Sequence, residues 1–518
     1  MKRFGSFLAL ASLIVVFVFA HSFANGGNAP EGAGAGAEKA PISPATAECL
    51  GCHESVHPGI VADWEKSRHA RTTPKTALAE TEMRRRFSAK SAPEGTGDFS
   101  VGCAECHTQN PSSHKDTVSH NGYEIHPVVT PSDCAACHPE EKAQFGENIM
   151  AKAVKNLGEN PVYAELVKAG SGPSRTKDGR LYFDAPEKQS SDGGCFSCHG
   201  TKVTVTGLET RDTDLGEMEF PRLSGWPNQG VGRVNPDGSE GSCAACHPRH
   251  RFSTESARSP KTCGQCHTGP DVPAYKVYTA SKHGNIFDAT GKNWNMDAVP
   301  WVVGRDFSAP TCASCHVSLV TDRDGTVIAK RSHRMNDRLE YRLFGVIYGH
   351  RHPVSPDTTI IRNADGLPLA CDFEGRPATN FLISEKEAKT RRKSMSSVCG
   401  ACHATGWTAG HFDRLDATVA ETNAATLAAT GIMRQAWEKG ICRGLAQKSN
   451  PFDEPLERKW TRIWLFYANS TRFAAAMAGG GDYGVFADGR FQLNEALSSM
   501  AASIRETGEK PQAAGKKP

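Results

Sequence analysis

Residues 243–250 read Cys243-Ala-Ala-Cys246-His247-Pro-Arg249-His250, and the first five of them are one of eight copies of Cys-x-x-Cys-His in this chain. The paired thiols are Cys49 and Cys52, Cys103 and Cys106, Cys134 and Cys137, Cys195 and Cys198, Cys243 and Cys246, Cys263 and Cys266, Cys312 and Cys315, and Cys399 and Cys402. The histidines that close the strings are His53, His107, His138, His199, His247, His267, His316 and His403. This pentapeptide is the attachment site of a c-type haem: two thioethers fix the porphyrin, and the adjacent imidazole becomes an axial iron ligand. Zinc sites would require the cysteine pairs to associate in twos, without a histidine at one fixed offset. The spacing therefore predicts eight covalently bound haems.

Of 18 cysteines, 16 belong to these strings, which leaves Cys371 and Cys442 either as a pair or as two separate thiols. Only 38% of the chain is hydrophobic, little for a domain of this length, so porphyrin faces are expected to supply much of the apolar core. The formal charge of +3 is offset by haem propionates, which argues against a nucleic-acid partner. Lys2 and Arg3, the apolar run Phe7–Ala20 and Ser22-Phe23-Ala24 read as a signal peptide over 1–24, cleaved near Ala24, with an uncleaved anchor as the alternative. A periplasmic location without stable membrane insertion follows.

Beyond the signal, 25–48 reads as a flexible lead-in, 49–405 as the octahaem domain and 406–518 as a helical region. The fold class is mainly α, a multihaem cytochrome c fold with little strand. Residues 91–98, 171–180 and 224–242 are expected loops; 139–170 is helical; 201–206 and 326–330 are short strands. Helices are also expected over 412–440, 455–478 and 491–505. In the second of these, Trp460, Ile463, Trp464 and Tyr467 form one stripe. A polar loop containing Asp482 and Tyr483 separates the last two.

Eleven histidines lie outside the signal and the strings: His57, His69, His114, His120, His126, His250, His283, His333, His350, His352 and His411. They are enough to close seven irons and leave one open, or to close all eight. The favoured distal ligands are His69, His126, His250, His283, His333 and His411.

The chain resembles the octahaem hydroxylamine oxidoreductases, a group that includes hydrazine dehydrogenases. The resemblance rests on the string count and order, on Gly225-Trp226-Pro227-Asn228, on Ser281-Lys282-His283-Gly284, and on Asp482-Tyr483-Gly484-Val485-Phe486-Ala487-Asp488-Gly489. It implies one five-coordinate haem crosslinked to a tyrosine of a neighbouring subunit, hence a homotrimer. Tyr483 matches that tyrosine, with Tyr467 as its rival. It further implies that string four, with His199, holds the active haem, and that Asp271 serves as a proton acceptor. The family has a histidine after that acid; here Val272 follows, and Tyr348, His350 and His352 are possible compensating groups. The implied activity is oxidation of hydroxylamine to nitric oxide or nitrite, with electrons passed to a small cytochrome c or the quinone pool. Three rivals are a reductase forming ammonia, a hydrazine dehydrogenase, and a conduit in which every iron is closed.

Overall fold

The computed structural model describes residues 40–213, 216–479 and 481–509. The signal peptide and residues 25–39 of the lead-in lie outside them. Residues 44–48 are not a flexible lead-in but the first turn of the helix Pro44–Val56, started by Pro44 and by Ser43, whose hydroxyl accepts from the Thr46 amide.

The strings lie on or at the ends of helical turns. Cys103–His107, Cys195–His199 and Cys312–His316 are each one turn and no more, while Cys49–His53 lies inside Pro44–Val56. A turn sets cysteines three apart on one face and carries the next residue, histidine, alongside them. Short helices and loops join the strings, and the fold is mainly α. Residues 139–170 are helical in pieces, Pro139–Gly146, Ile149–Lys152, Ala153–Gly158 and Pro161–Ser171. Pro161 starts a new helix, with Asn160 capping it, rather than continuing the old one.

Among the described residues strand occurs as five small sheets. The expected strand at 326–330 is Val327–Ala329, in a three-stranded sheet. The one at 201–206 is the start of a much longer hairpin, Thr204–Thr213 with Gly216–Ser224. Part of 171–180, expected as loop, forms a hairpin instead: Ser174–Lys177 pairs with Arg180–Phe183. Its corner, Asp178-Gly179, has φ of 51° and 73°, the tight turn whose twist matches two antiparallel strands.

Three C-terminal helical segments close the structure. Thr405–Glu438 is 34 residues long; 455–476 is one helix with a π-helical insert at Arg462–Tyr467; Arg490–Glu509 follows. Trp460, Ile463 and Trp464 of the predicted stripe are buried among Ala429, Met433 and Ala436 of the long helix, whose small residues let the backbones approach. Cys371 and Cys442 are buried in this same core as free thiols. The polar loop expected around Tyr483 is a π-helical turn, Tyr483–Ala487. Gly484 permits it: a Cβ there would lie 2.6 Å from that of Ala474, so only glycine lets the turn pack on the preceding helix.

Candidate multihaem site

A cavity of about 1920 Å³ runs through the interior, lined by cysteines or histidines from every string except the first. Single-ligand pockets are about 300–1,000 Å³, so this space suits several large flat groups rather than one small one.

Histidines in and beyond its wall stand in facing pairs. Ring centroids are 6.2 Å apart for His53 and His120, 6.3 Å for His138 and His69, and 6.4 Å for His107 and His250. They are 6.4 Å apart for His247 and His333, and 6.1 Å for His403 and His283. Two imidazoles on opposite faces of one metal, each bonded at about 2 Å, require a separation of about 6 Å. Hydrogen bonds orient the string histidines for this. Nδ1 of His107, His199 and His316 donates to the carbonyls of His126, Ala153 and Met335, at 2.8, 3.4 and 3.3 Å. Nε2 of each is thereby the nitrogen left for a metal. Burial pushes His69, His247, His250, His316 and His333 down to about 4, which keeps the imidazoles in the neutral, lone-pair form that coordination needs. The residues fit c-type haem at the strings.

The thiols trace the order in which the strings adjoin. Cys49 lies near Cys103, and Cys106 near Cys137. Cys134 meets Cys243 in string five, Cys246 interacts with Cys263 in string six, and Cys263 meets Cys312 in string seven. Cys315 then interacts with Cys399. String four joins only sideways, through Cys198 against Cys266 of string six. The row is thus one, two, three, five, six, seven, eight, with four as a branch at six.

At that branch, Asp271 lies near enough to His199, His267 and Cys198 to perturb all three, and both Asp271 and Val272 line the cavity. Asn469 of the C-terminal helix donates to the Asp271 carbonyl at 2.8 Å and fixes the loop. His267 has Phe344 as its aromatic neighbour, 5.8 Å away and edge-on.

Other singled-out residues lie elsewhere. Tyr348 is buried in the C-terminal core, its hydroxyl donating to the Phe373 carbonyl at 3.1 Å, and is not on the cavity wall. His352 lines the cavity, whereas His350 is enclosed with Nε2 unpaired. His411 lines the cavity but is set off from His403 by the Trp407 indole, which stacks on His403 at 3.9 Å and faces His411 at 5.6 Å. His126 stacks on His114 at 3.6 Å and gives its carbonyl, not its ring, to His107. Tyr483 lies off the cavity, half-buried, with its hydroxyl 3.4 Å from an Asp488 carboxylate oxygen. Tyr467 packs at the edge of the C-terminal core. His120 was not among the favoured ligands; its sequence signal is the Asn121-Gly122 corner that follows, which folds the hairpin carrying it against His53.

Residues 236–338 match the family described as seven times multi-haem cytochrome CxxCH, and residues 40–128 match cytochrome c554 and c-prime. A solved structure called a hypothetical multiheme protein superposes with a TM-score of 0.84 at 40% identity, covering 91% of this chain and 97% of that one. A reducing HAO-like protein complex of Kuenenia stuttgartiensis shares the fold, with a TM-score of 0.57 and 19% identity over 90% of this chain and 86% of that one. A probable nitrite reductase-hydroxylamine oxidoreductase fusion protein of the same organism is 25% identical over 424 residues, 78% of this chain. The chain spans 39% of the length of that curated relative. No helix among the described residues is long and apolar enough to cross a membrane. Eight haem-attachment strings, facing imidazoles and the extent of the match to that solved multiheme protein together establish that the chain belongs to the multihaem c-type cytochromes.

Proposed function

We propose that this protein oxidises hydroxylamine to nitric oxide or nitrite at string four and passes the electrons into the row of the other seven strings and on to a small cytochrome c or a quinone-linked acceptor. The observation that carries this reading is the branch itself. String four stands off the row, beside the Asp271 carboxylate, while five other string histidines face a second imidazole.

A haem held by Cys195, Cys198 and His199 supplies the redox centre that draws electrons from nitrogen. Hydroxylamine loses three electrons and three protons on the way to nitric oxide; a fourth electron and an oxygen from water give nitrite. His199, its Nδ1–H held by the Ala153 carbonyl, keeps Nε2 as the nitrogen that would hold the iron. Asp271 accepts protons from the substrate N–H and O–H groups as general base, its backbone held by Asn469. The contact of string four with string six provides the exit, and string one, whose Cys52 is exposed, provides a surface terminus.

Tyr483 supports the oxidative direction. It lies off its own chain's cavity, on a turn whose Val485 and Phe486 are exposed, a placement suited to reaching a neighbouring copy in a trimer. Val272 favours a second reading, a reductase forming ammonia, because it removes a proton-transfer group beside Asp271. The test is anaerobic addition of hydroxylamine to the oxidised periplasmic protein, with mass spectrometry of its haem peptides. Fast haem reduction and a haem-linked Tyr483 peptide are expected. Inertness to hydroxylamine, with conversion of nitrite to ammonia on supply of a reductant, would establish the second reading instead.

A further inference from the structure

Beside the haem cavity, whose wall includes Asp133, the chain brings together His114, Asp116, His126 and Asp133, each more than nine-tenths buried. Donor atoms of His114, Asp116 and His126 all lie within 4.8 Å of one another. Hydrogen bonds assign the ring protons. Nε2 of His126 is 2.9 Å from the Gln109 carbonyl, which can only accept, so Nε2 carries the hydrogen and Nδ1 keeps a lone pair. That Nδ1 is enclosed and has no partner. Nε2 of His114 is 3.2 Å from Oδ1 of Asp133, and Nδ1 is 3.2 Å from Oδ1 of Asp116. With the proton of a neutral ring on Nε2, the Nδ1 lone pair meets a carboxylate oxygen.

Acceptors facing one another in a buried space call for a cation between them. A second proton on His114 would satisfy Asp116, but it would leave His126 Nδ1 orphaned and two enclosed carboxylates against one positive charge. The outer oxygens are already engaged: Val128 N–H donates to Oδ2 of Asp116 at 3.0 Å, and Thr130 N–H to Oδ2 of Asp133 at 2.7 Å.

We propose that His114, Asp116 and His126 hold a divalent transition-metal ion of zinc's class, distinct from the haem irons. Two imidazoles and one carboxylate are a zinc-type donor set rather than the all-oxygen set of calcium. Asp133 and the Gln109 carbonyl act as outer partners that fix both tautomers, the arrangement usual around metal-bound imidazoles. The rings now stack 3.6 Å apart and 9° from parallel, so loading opens the stack until the lone pairs converge. The ion's role is structural. His126 carries the carbonyl that orients His107, so the ion anchors the backbone behind string two. Because the site is enclosed, the ion enters as the protein folds.

The test is metal analysis of the holoprotein, purified after growth with zinc and dialysed, with haem quantified in the same samples. Close to one zinc per chain is expected. Asp116→Asn and His126→Gln should lower it at least tenfold while the haem content per chain stays that of the wild type, and Asp133→Asn should weaken binding by about ten- to a hundredfold. Less than a tenth of an equivalent in the wild type overturns the proposal, and so does full retention by both inner variants. If those variants fail to fold, zinc-edge X-ray absorption of the wild type decides. A shell of two imidazoles with oxygen supports the site, whereas a sulfur or all-oxygen shell overturns it.

Discussion

Asn469 reaches from the C-terminal helix to the loop after string six and donates its side-chain amide to the Asp271 carbonyl at 2.8 Å, while the same amide serves the Leu465 carbonyl at 2.7 Å. A fully buried side chain of the helical region thereby sets the position of the candidate general base. Its truncation removes the donor to this carbonyl, at a net cost of about 1 kcal/mol. Asn469→Ala should lower the thermal midpoint and slow hydroxylamine-driven haem reduction together. Asp271→Asn should slow the reduction about a hundredfold and leave the midpoint nearly unchanged, since the backbone contact survives. Stopped-flow absorbance and calorimetry separate the two outcomes.

A buried guanidinium performs a purely structural version of the same task. Arg472 is fully enclosed and donates to Thr422 and Asn423 of the long helix, and to the carbonyls of Leu343 and Ile347. It therefore binds a segment before the last string to two C-terminal helical segments, without a carboxylate partner among the described residues. Arg472→Met keeps the bulk but strands several acceptors. The expected loss is about 3 kcal/mol or more, read as a lower denaturant midpoint with the haem content of surviving folded protein unchanged.

The strings were legible because thioether chemistry confines both thiols and the proximal imidazole to five consecutive residues, and the Trp460 stripe because helical period shows in the spacing. The opposite faces were not legible in the same way. His250 follows string five in the chain yet faces His107 of string two, and His69 follows string one yet faces His138 of string three. Such pairings depend on how the turns stack, which no local spacing records. His126 stands 6.2 Å from His107 as well, while its ring stacks on His114 and its Nε2 meets the Gln109 carbonyl. Asn121-Gly122 and Asp178-Gly179 did carry hairpin signals, with strands too short to show alternation.

His120 gives a direct check on the pairing geometry. It faces His53 at 6.2 Å, and string one is at the end of the row. His120→Ala should convert one low-spin haem to a ligand-accessible form, seen as a new high-spin resonance signal and carbon monoxide binding after reduction. Hydroxylamine should still reduce the remaining haems at the wild-type rate, because the change lies far from the branch at string six. An unaltered spin-state count would remove His120 from the ligand set.

Glu457 makes stability depend on pH for reasons unrelated to haem. Its carboxyl is fully enclosed, and burial pushes it up to about 8 despite hydrogen bonds from Trp437 Nε1 and the Glu454 amide. An acid raised in the fold keeps its proton while the unfolded chain has already released it. Between about pH 4.5 and 8 the native state therefore binds more protons, and stability falls as pH rises through that window, levelling off above it. Asp453, pushed up to about 6 mainly by burial, adds a slope of the same sign over the lower part of the window. Glu457→Gln removes the larger contribution. The variant should show a flatter dependence of thermal midpoint on pH and exceed the wild type in stability at pH 8, with the two converging toward pH 5. A wild-type midpoint that climbs from pH 5 to 8, unaffected by the substitution, would mean that the carboxylate is charged in its core site and held by its two donors.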